Sequence, residues 1–267
     1  MTQATPGPPH DADGTDPLRE LSRVPADDVD LRESLAGLSR LVMGHGQSGL
    51  EGMLRHVADF AVLAIPGADG AGLTLLEQQG TDTVVSSADF VREVDAIQYG
   101  IGEGPCITAA TDRCTVRSGS LSSDRQWPRF GPRVGRLGVH SALSLPLLAG
   151  DQVVGALNVY ARAKNAFDDR AVELGELFAI PAAISVQNAQ VLAQARRLAT
   201  HLQTALTNRA VIDQAIGVLM SRTGCTPDEA IARLKVMSQA DNRKLSVMAQ
   251  QVLDEAVRRA RARHLDT

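Results

Sequence analysis

Apolar positions along this chain repeat with two different periods, and the changes of period mark its elements. Over residues 28–64 the spacing is helical. Leu31, Leu35, Leu38, Leu41 and Val42 form a stripe over 28–43, and Leu50, Met53, Leu54, Val57, Phe60, Ala61 and Ala64 form another over 50–64. The run GHGQSG breaks the helix between them. The period then shortens to two. AGLTLLE (71–77) and DTVVSSA (82–88) read as strands joined by QQGT, and 140–150 and 152–161 read as a second hairpin turning at Gly150-Asp151. A short helix is expected over 89–98, followed by a long loop. Asp168 is placed to cap a long helix that opens DDRAVELGELFAIPAAISV. This order predicts an α+β fold, an antiparallel sheet with flanking helices. Residues 1–27, rich in Pro, Asp, Gly and Thr, keep neither period and read as a disordered tail.

Beyond Pro181, a residue expected to kink the helix, a heptad runs with Ile184, Val191, Leu198 and Ala205 at a and Asn188, Ala195, Leu202 and Arg209 at d. The seam predicts a parallel coiled coil and hence a homodimer. The alternative is a helix that packs on its own domain. With no strong breaker before Ile212, the same helix is expected to carry a signal onward. Three short amphipathic helices close the chain. The first buries Ile212, Ala215, Ile216 and Leu219 and stops at Gly224. The second starts with Thr226 as N-cap, Pro227 in the first position and Glu229 completing a capping box, with Ala230, Leu234 and Met237 as its apolar face. Leu245, Met248, Ala249, Val252, Leu253 and Ala256 line the third, for which Asp241 or Asn242 is a candidate cap. The boundaries read as tail 1–27, first domain 28–182, linker helix 183–208 and C-terminal module 209–267.

Charge separates the ends. Residues 209–267 hold ten Lys+Arg against seven Asp+Glu, whereas 1–208 hold seventeen against twenty-four. The C-terminal module is therefore basic on an acidic chain, with Asn242, Arg243 and Lys244 forming a polar, basic turn. It contains no aromatic residue, so any nucleic-acid contact rests on Arg, Lys, Asn and shape rather than stacking. No apolar run is long enough to span a bilayer and the N-terminus has no signal-peptide pattern, which predicts no membrane and a cytoplasmic protein. Cys106, Cys114 and Cys225 are scattered, and His10, His45, His56, His140, His201 and His264 lack ligand spacing, so neither metal nor cofactor is expected.

Arg209, Ala215, Gly217, Leu219 and Met220, then Asp228, Glu229, Ala230 and Leu234, then Asn242, Lys244, Leu245 and Ala249 follow a pattern that resembles the ANTAR domain. The resemblance implies a three-helix module that binds paired stem-loops in a nascent transcript and prevents a terminator from forming. Arg209, Lys235, Asn242, Arg243 and Lys244 are the candidate RNA contacts. Many members have Lys where this chain has Ile216.

Roughly residues 35–190 resemble a GAF domain, on the strength of GEGPC (102–106), DRQWPRF, SALSLPL (141–147), GALNVYA and FDDRAVEL. The two together look like an antitermination regulator of actinobacterial type. The resemblance places a cavity between the sheet and the loop 99–135, which makes Gly102, Cys106 and Trp127 candidate pocket residues. GEGPC also reads as a loop-shaping run, Trp127 as a loop anchor and Cys106 as a buried thiol. Two other functions are weighed. One is a redox or ligand sensor acting through a protein partner. The other is a methionine sulfoxide reductase-like enzyme using Cys106 and Cys114. The leading reading assigns no catalytic residue.

Overall fold

The computed structural model describes residues 28–43, 49–75 and 84–265. The expected tail, most of the breaker before Gly49 and the QQGT turn lie outside the described residues. The chain divides into two compact units, 1–193 and 194–267. Among the described residues, no helix is long and apolar enough to cross a membrane.

The first unit is the expected α+β fold. Its strands are β1 (Gly70–Leu75), β2 (Val84–Ser86), β3 (Val116–Ser118), β4 (Ser141–Ala149) and β5 (Gln152–Ala161). They form one sheet in the order β2-β1-β5-β4-β3, every pair antiparallel. The β4–β5 hairpin pairs Ala149 with Gln152 around the two-residue turn Gly150-Asp151, with Gly150 at φ 60°. Side-chain alternation gives the sheet two different faces. Leu73, Leu75, Leu143, Leu145, Leu147, Leu157 and Val159 point to one core, covered by α1 (Val29–Met43), α2 (Gly49–Ala64) and the start of α6 (Asp169–Thr223). The other face carries Ala142 and Tyr160 into a second core with Val91, Val94, Ala109, Trp127 and Phe130. This face holds α3 (Asp89–Ile101), α4 (Pro105–Asp112) and α5 (Gly131–Gly135).

The stretch expected to be a long loop is thus largely structured. It contains α4, α5, a 3-10 turn at Leu121–Ser123 and the edge strand β3. β3 is three residues long with Arg117 exposed between Val116 and Ser118, too short to show a period in the sequence. α3 runs three residues past the expected end because Gly102, at φ 70°, closes it through its N–H to Gln98 O. β2 stops at Ser86, short of the expected Ala88, because the chain turns there into α3 at Asp89.

Asp168 caps α6 as expected, its Oδ1 accepting from Ala171 N at 2.8 Å. The helix is continuous through Pro181, where the Leu177 carbonyl finds no N–H donor at its usual partner. Two faces of α6 behave differently around that point. Ala182, Ala183 and Val186 are buried in the first core, whereas Ile184, Val191, Leu198 and Leu202 are 44–61 % exposed.

In the second unit Ala215 of α6, Leu234 of α7 (Pro227–Ala240) and Ala249 and Val252 of α8 (Leu245–Leu265) form a small core, joined by half-buried Ile212, Ile216, Leu219, Leu245 and Leu253. Gly224, at φ 70°, follows α6, and both bonds of the Thr226–Glu229 capping box are made, at 3.3 and 2.9 Å. Met237 is exposed rather than part of the apolar face of α7. The expected cap of the last helix is also corrected. Asp241 and Asn242 belong to the end of α7, with Asn242 at φ 51° and the N–H groups of Asn242 and Arg243 bonded to Gln239 O and Ser238 O. That is a Schellman ending with asparagine in the left-handed position usually given to glycine.

Candidate functional site

Inside the first unit, polar side chains occupy a place where apolar ones are the rule. Thr74, Ser144, Asn158 and Tyr160 lie on the sheet face opposite the leucines, and all four are buried. α3 brings Asp95 and Gln98 down on them, both with no exposed surface, because they share the helix face of Val91 and Val94. Tyr160 donates to Asp95 Oδ1 at 2.8 Å, Ser144 to Asn158 Oδ1 at 2.9 Å and Tyr99 to Thr74 Oγ1 at 2.5 Å. Among the described residues, Asp95 Oδ2, Gln98 Nε2 and Asn158 Nδ2 have no protein partner. Buried polar atoms are normally paired with protein or with ordered water. Burial pushes the Asp95 carboxyl up to about 7, against the pull of the bond from Tyr160.

Cys106 belongs to this cluster. Its Sγ lies 3.2 Å from the Tyr99 hydroxyl and its N–H donates to Gln98 Oε1 at 3.0 Å. Burial pushes the thiol above its ordinary value, which leaves less thiolate, not more. Cys114 is exposed and unbridged. Gly102 turns the chain out of α3. Gly104 (φ 156°) leaves no room for a side chain, since a Cβ there would run into Gln98. Between them Glu103 fastens the next loop. It accepts from Arg129 N at 2.7 Å, Arg129 Nε at 2.9 Å and Phe130 N at 3.2 Å. Partial burial raises its carboxyl pKa, but these bonds outweigh it and hold the group below its usual value. Trp127 is buried in the second core and donates from Nε1 to Thr108 Oγ1 at 3.1 Å, the position of a loop anchor. Of the three candidate pocket residues, Cys106 alone brings a side chain to the polar cluster, while Gly102 bonds only the Gln98 backbone carbonyl. Asp95, Gln98, Ser144 and Asn158 are additions to the sequence reading. The alternation in SALSL and GALNVYA already puts Ser144 and Asn158 opposite the core leucines, which was the available signal.

On the second unit, Asn242, Arg243 and Lys244 occupy one turn, all exposed, immediately before α8. The N-terminal end of that helix dipole, with no acidic residue in its first turn, adds positive potential to the two cations. Neither Arg243 nor Lys244 makes an ion pair among the described residues. Lys235 is exposed on α7. Arg209 lies on α6, with Asp213 3.8 Å away. No bond joins Arg209 to the turn among the described residues. Ile216, at the position of the missing lysine, is half-buried against the small core, which fits an apolar side chain there.

Known proteins were compared with this chain. Residues 47–187 match the family model of the GAF domain and residues 200–253 that of the ANTAR domain. Among solved structures, the GAF domain of a phosphoenolpyruvate-protein phosphotransferase from Coxiella burnetii is similar at 16% identity and TM-score 0.50, covering 63% of this chain and 99% of that one. The corresponding domain from Acinetobacter is 13% identical with TM-score 0.46, covering 61% and 97%. A type II free methionine-R-sulfoxide reductase from Thermoplasma acidophilum is 15% identical with TM-score 0.42, covering 52% and 93%. At such identities the likeness speaks for fold alone. No curated protein sequence matches the chain. The GAF match spans more than half of the chain, and an ANTAR match follows it. The chain therefore belongs to the GAF domain family and joins that sensory fold to an ANTAR domain, the module of RNA-binding antitermination regulators.

Proposed function

We propose that this protein is a signal-responsive, cytoplasmic regulator that binds tandem RNA stem-loops through residues 209–267 and thereby controls transcription termination. Arg209, Lys235, Asn242, Arg243 and Lys244 make the RNA contacts. The observation that carries the reading is the exposed Asn242–Lys244 turn on an ANTAR domain, with two cations at a helix start that make no ion pair among the described residues. Asn242 has a second job in ending α7, so its substitution changes the shape of the turn as well as its chemistry. The GAF domain, 28–182, supplies the signal. Its buried cluster around Asp95, Asn158 and Cys106 supports a ligand-responsive interior, with Gly102, Glu103 and Trp127 holding the loop that closes over it. Residues 183–208 pair two copies through the exposed seam of α6, since apolar side chains this exposed call for a partner. No residue is catalytic in this reading. The buried Cys106, with its raised thiol, speaks against a reductase.

Single-round transcription over a template with a tandem stem-loop ahead of a terminator tests the function. Read-through that rises with protein concentration, and does not rise with an Arg243→Ala/Lys244→Ala variant, is expected. Unchanged termination at protein concentrations that saturate the RNA would refute termination control. If the GAF cluster instead speaks to a protein partner, the same assay shows no response and the turn variant is silent.

A further inference from the structure

An open groove of about 610 Å³ lies within the second unit, between the last turns of α6 and the middle of α8. It is separate from the Asn242–Lys244 turn, which precedes the first residue of α8, whereas the groove begins at Leu253. Gly217 lies on its α6 side. A glycine inside a helix costs stability relative to alanine, so it calls for a reason. Nothing in the unit supplies one: Gly217 is exposed, and a Cβ there would meet no atom within 4 Å. What the glycine provides is bare backbone for something outside the unit to approach.

The groove's chemistry says what that is. Arg222 and Arg259 stand along it, with Gln214 and Ser221 as neutral hydrogen-bonding groups, and no carboxylate lines it. Arg222 makes no ion pair among the described residues. Arg259 pairs with Glu255 at 2.6 Å, which offsets part of its charge, so Arg222 is the stronger cation of the two. The apolar part of its lining is Val218, Leu253, Ala256 and Ala260, with no aromatic ring for a base to stack on. Two guanidiniums, two hydroxyl-reading groups and a bare backbone match a ribose-phosphate chain: phosphates for the arginines and 2′-hydroxyls for Gln214 and Ser221. We infer that this groove is a second RNA-contact surface that takes the sugar-phosphate backbone, so that each ANTAR domain grips RNA at two places. The inference rests on the RNA-binding reading of the module.

The full-length protein is used to select RNA from a pool of tandem hairpins with randomised loops, and variants are titrated against the selected RNA over a salt series. Gly217→Leu, which the helix accommodates sterically, is expected to weaken binding by about tenfold or more, with the helical circular-dichroism signal unchanged. Arg222→Ala is expected to lower the log–log salt slope by about one, and Arg222→Lys to restore it. Wild-type affinity and slope in Gly217→Leu and Arg222→Ala, with binding still lost in Arg243→Ala/Lys244→Ala, overturn the groove and leave the RNA function standing. A change in sedimentation of Gly217→Leu at unchanged RNA affinity also overturns it, by making the groove a contact between copies. A pool that yields no bound RNA overturns both readings.

Discussion

Asp95 is the residue on which the fold and its environment meet most sharply. Its folded value of about 7 lies above the ordinary 3.8, so between those values the fold holds a proton that the unfolded chain has released. Asp95's contribution to stability is therefore greatest below about pH 4, declines as pH rises towards 7 and stays low above it. Urea titrations at pH 5 and pH 8 are expected to show a loss in the wild type that Asp95→Asn lacks. An equal pH response in the two proteins would contradict the burial argument. Thr226 offers a plainer case. Thr226→Ala removes one half of a complete capping box and is expected to cost the C-terminal unit about 1 kcal/mol, with Thr226→Ser largely neutral. Thr226 was legible in the sequence because a capping box is local, written within four residues. Asp95 and Gln98 were not, because their burial depends on which face of α3 meets the sheet, and polar side chains ordinarily face solvent. Asn242 was half legible: a residue suited to turns was evident, but whether it opened α8 or closed α7 depended on a positive φ that asparagine only permits.

At the scale of elements, the long strands and helices were readable because their periods persist over many residues. The leucines of β4 and β5 face one way for the whole strand, and Asp168 announces α6. Short elements carry no such average: β3 has one apolar residue inside its span besides solvent-facing Arg117, and α4 and α5 are held by the loop they sit in. The seam of α6 is the element-scale reading with most at stake. One face of the helix packs on the first core through Val186, while Val191, Leu198 and Leu202 are largely exposed, so the dimer seam stands as a proposal. Leu198→Glu with Leu202→Glu is expected to convert a dimer into a monomer in sedimentation equilibrium without loss of helix signal, and an unchanged mass would exclude this seam as the contact. Leu198→Pro addresses coupling instead. It breaks the helix between the two domains and is expected to abolish any dependence of RNA affinity on a GAF signal, while RNA binding itself survives. Retained dependence would show that the signal takes another route.

Across the whole molecule, the charge asymmetry now has a structural counterpart. The acidic part of the chain contains the GAF domain, with a polar cluster buried beside its apolar cores, and the basic part contains the ANTAR domain, whose cations are exposed among the described residues. That division was legible because composition needs no fold to be counted. The identity of the signal was not, since the polar cluster that would receive it is assembled from β1, α3, α4, β4 and β5, five segments scattered over the chain. The measurement that bears most directly on the account is binding of the full-length protein to a labelled tandem stem-loop RNA and to a scrambled-loop control over a salt series. The account predicts preference for the stem-loop RNA, with that preference and about two units of log–log slope lost in Arg243→Ala/Lys244→Ala. Equal, purely salt-driven binding of the two RNAs, unaffected by the double substitution, would contradict it.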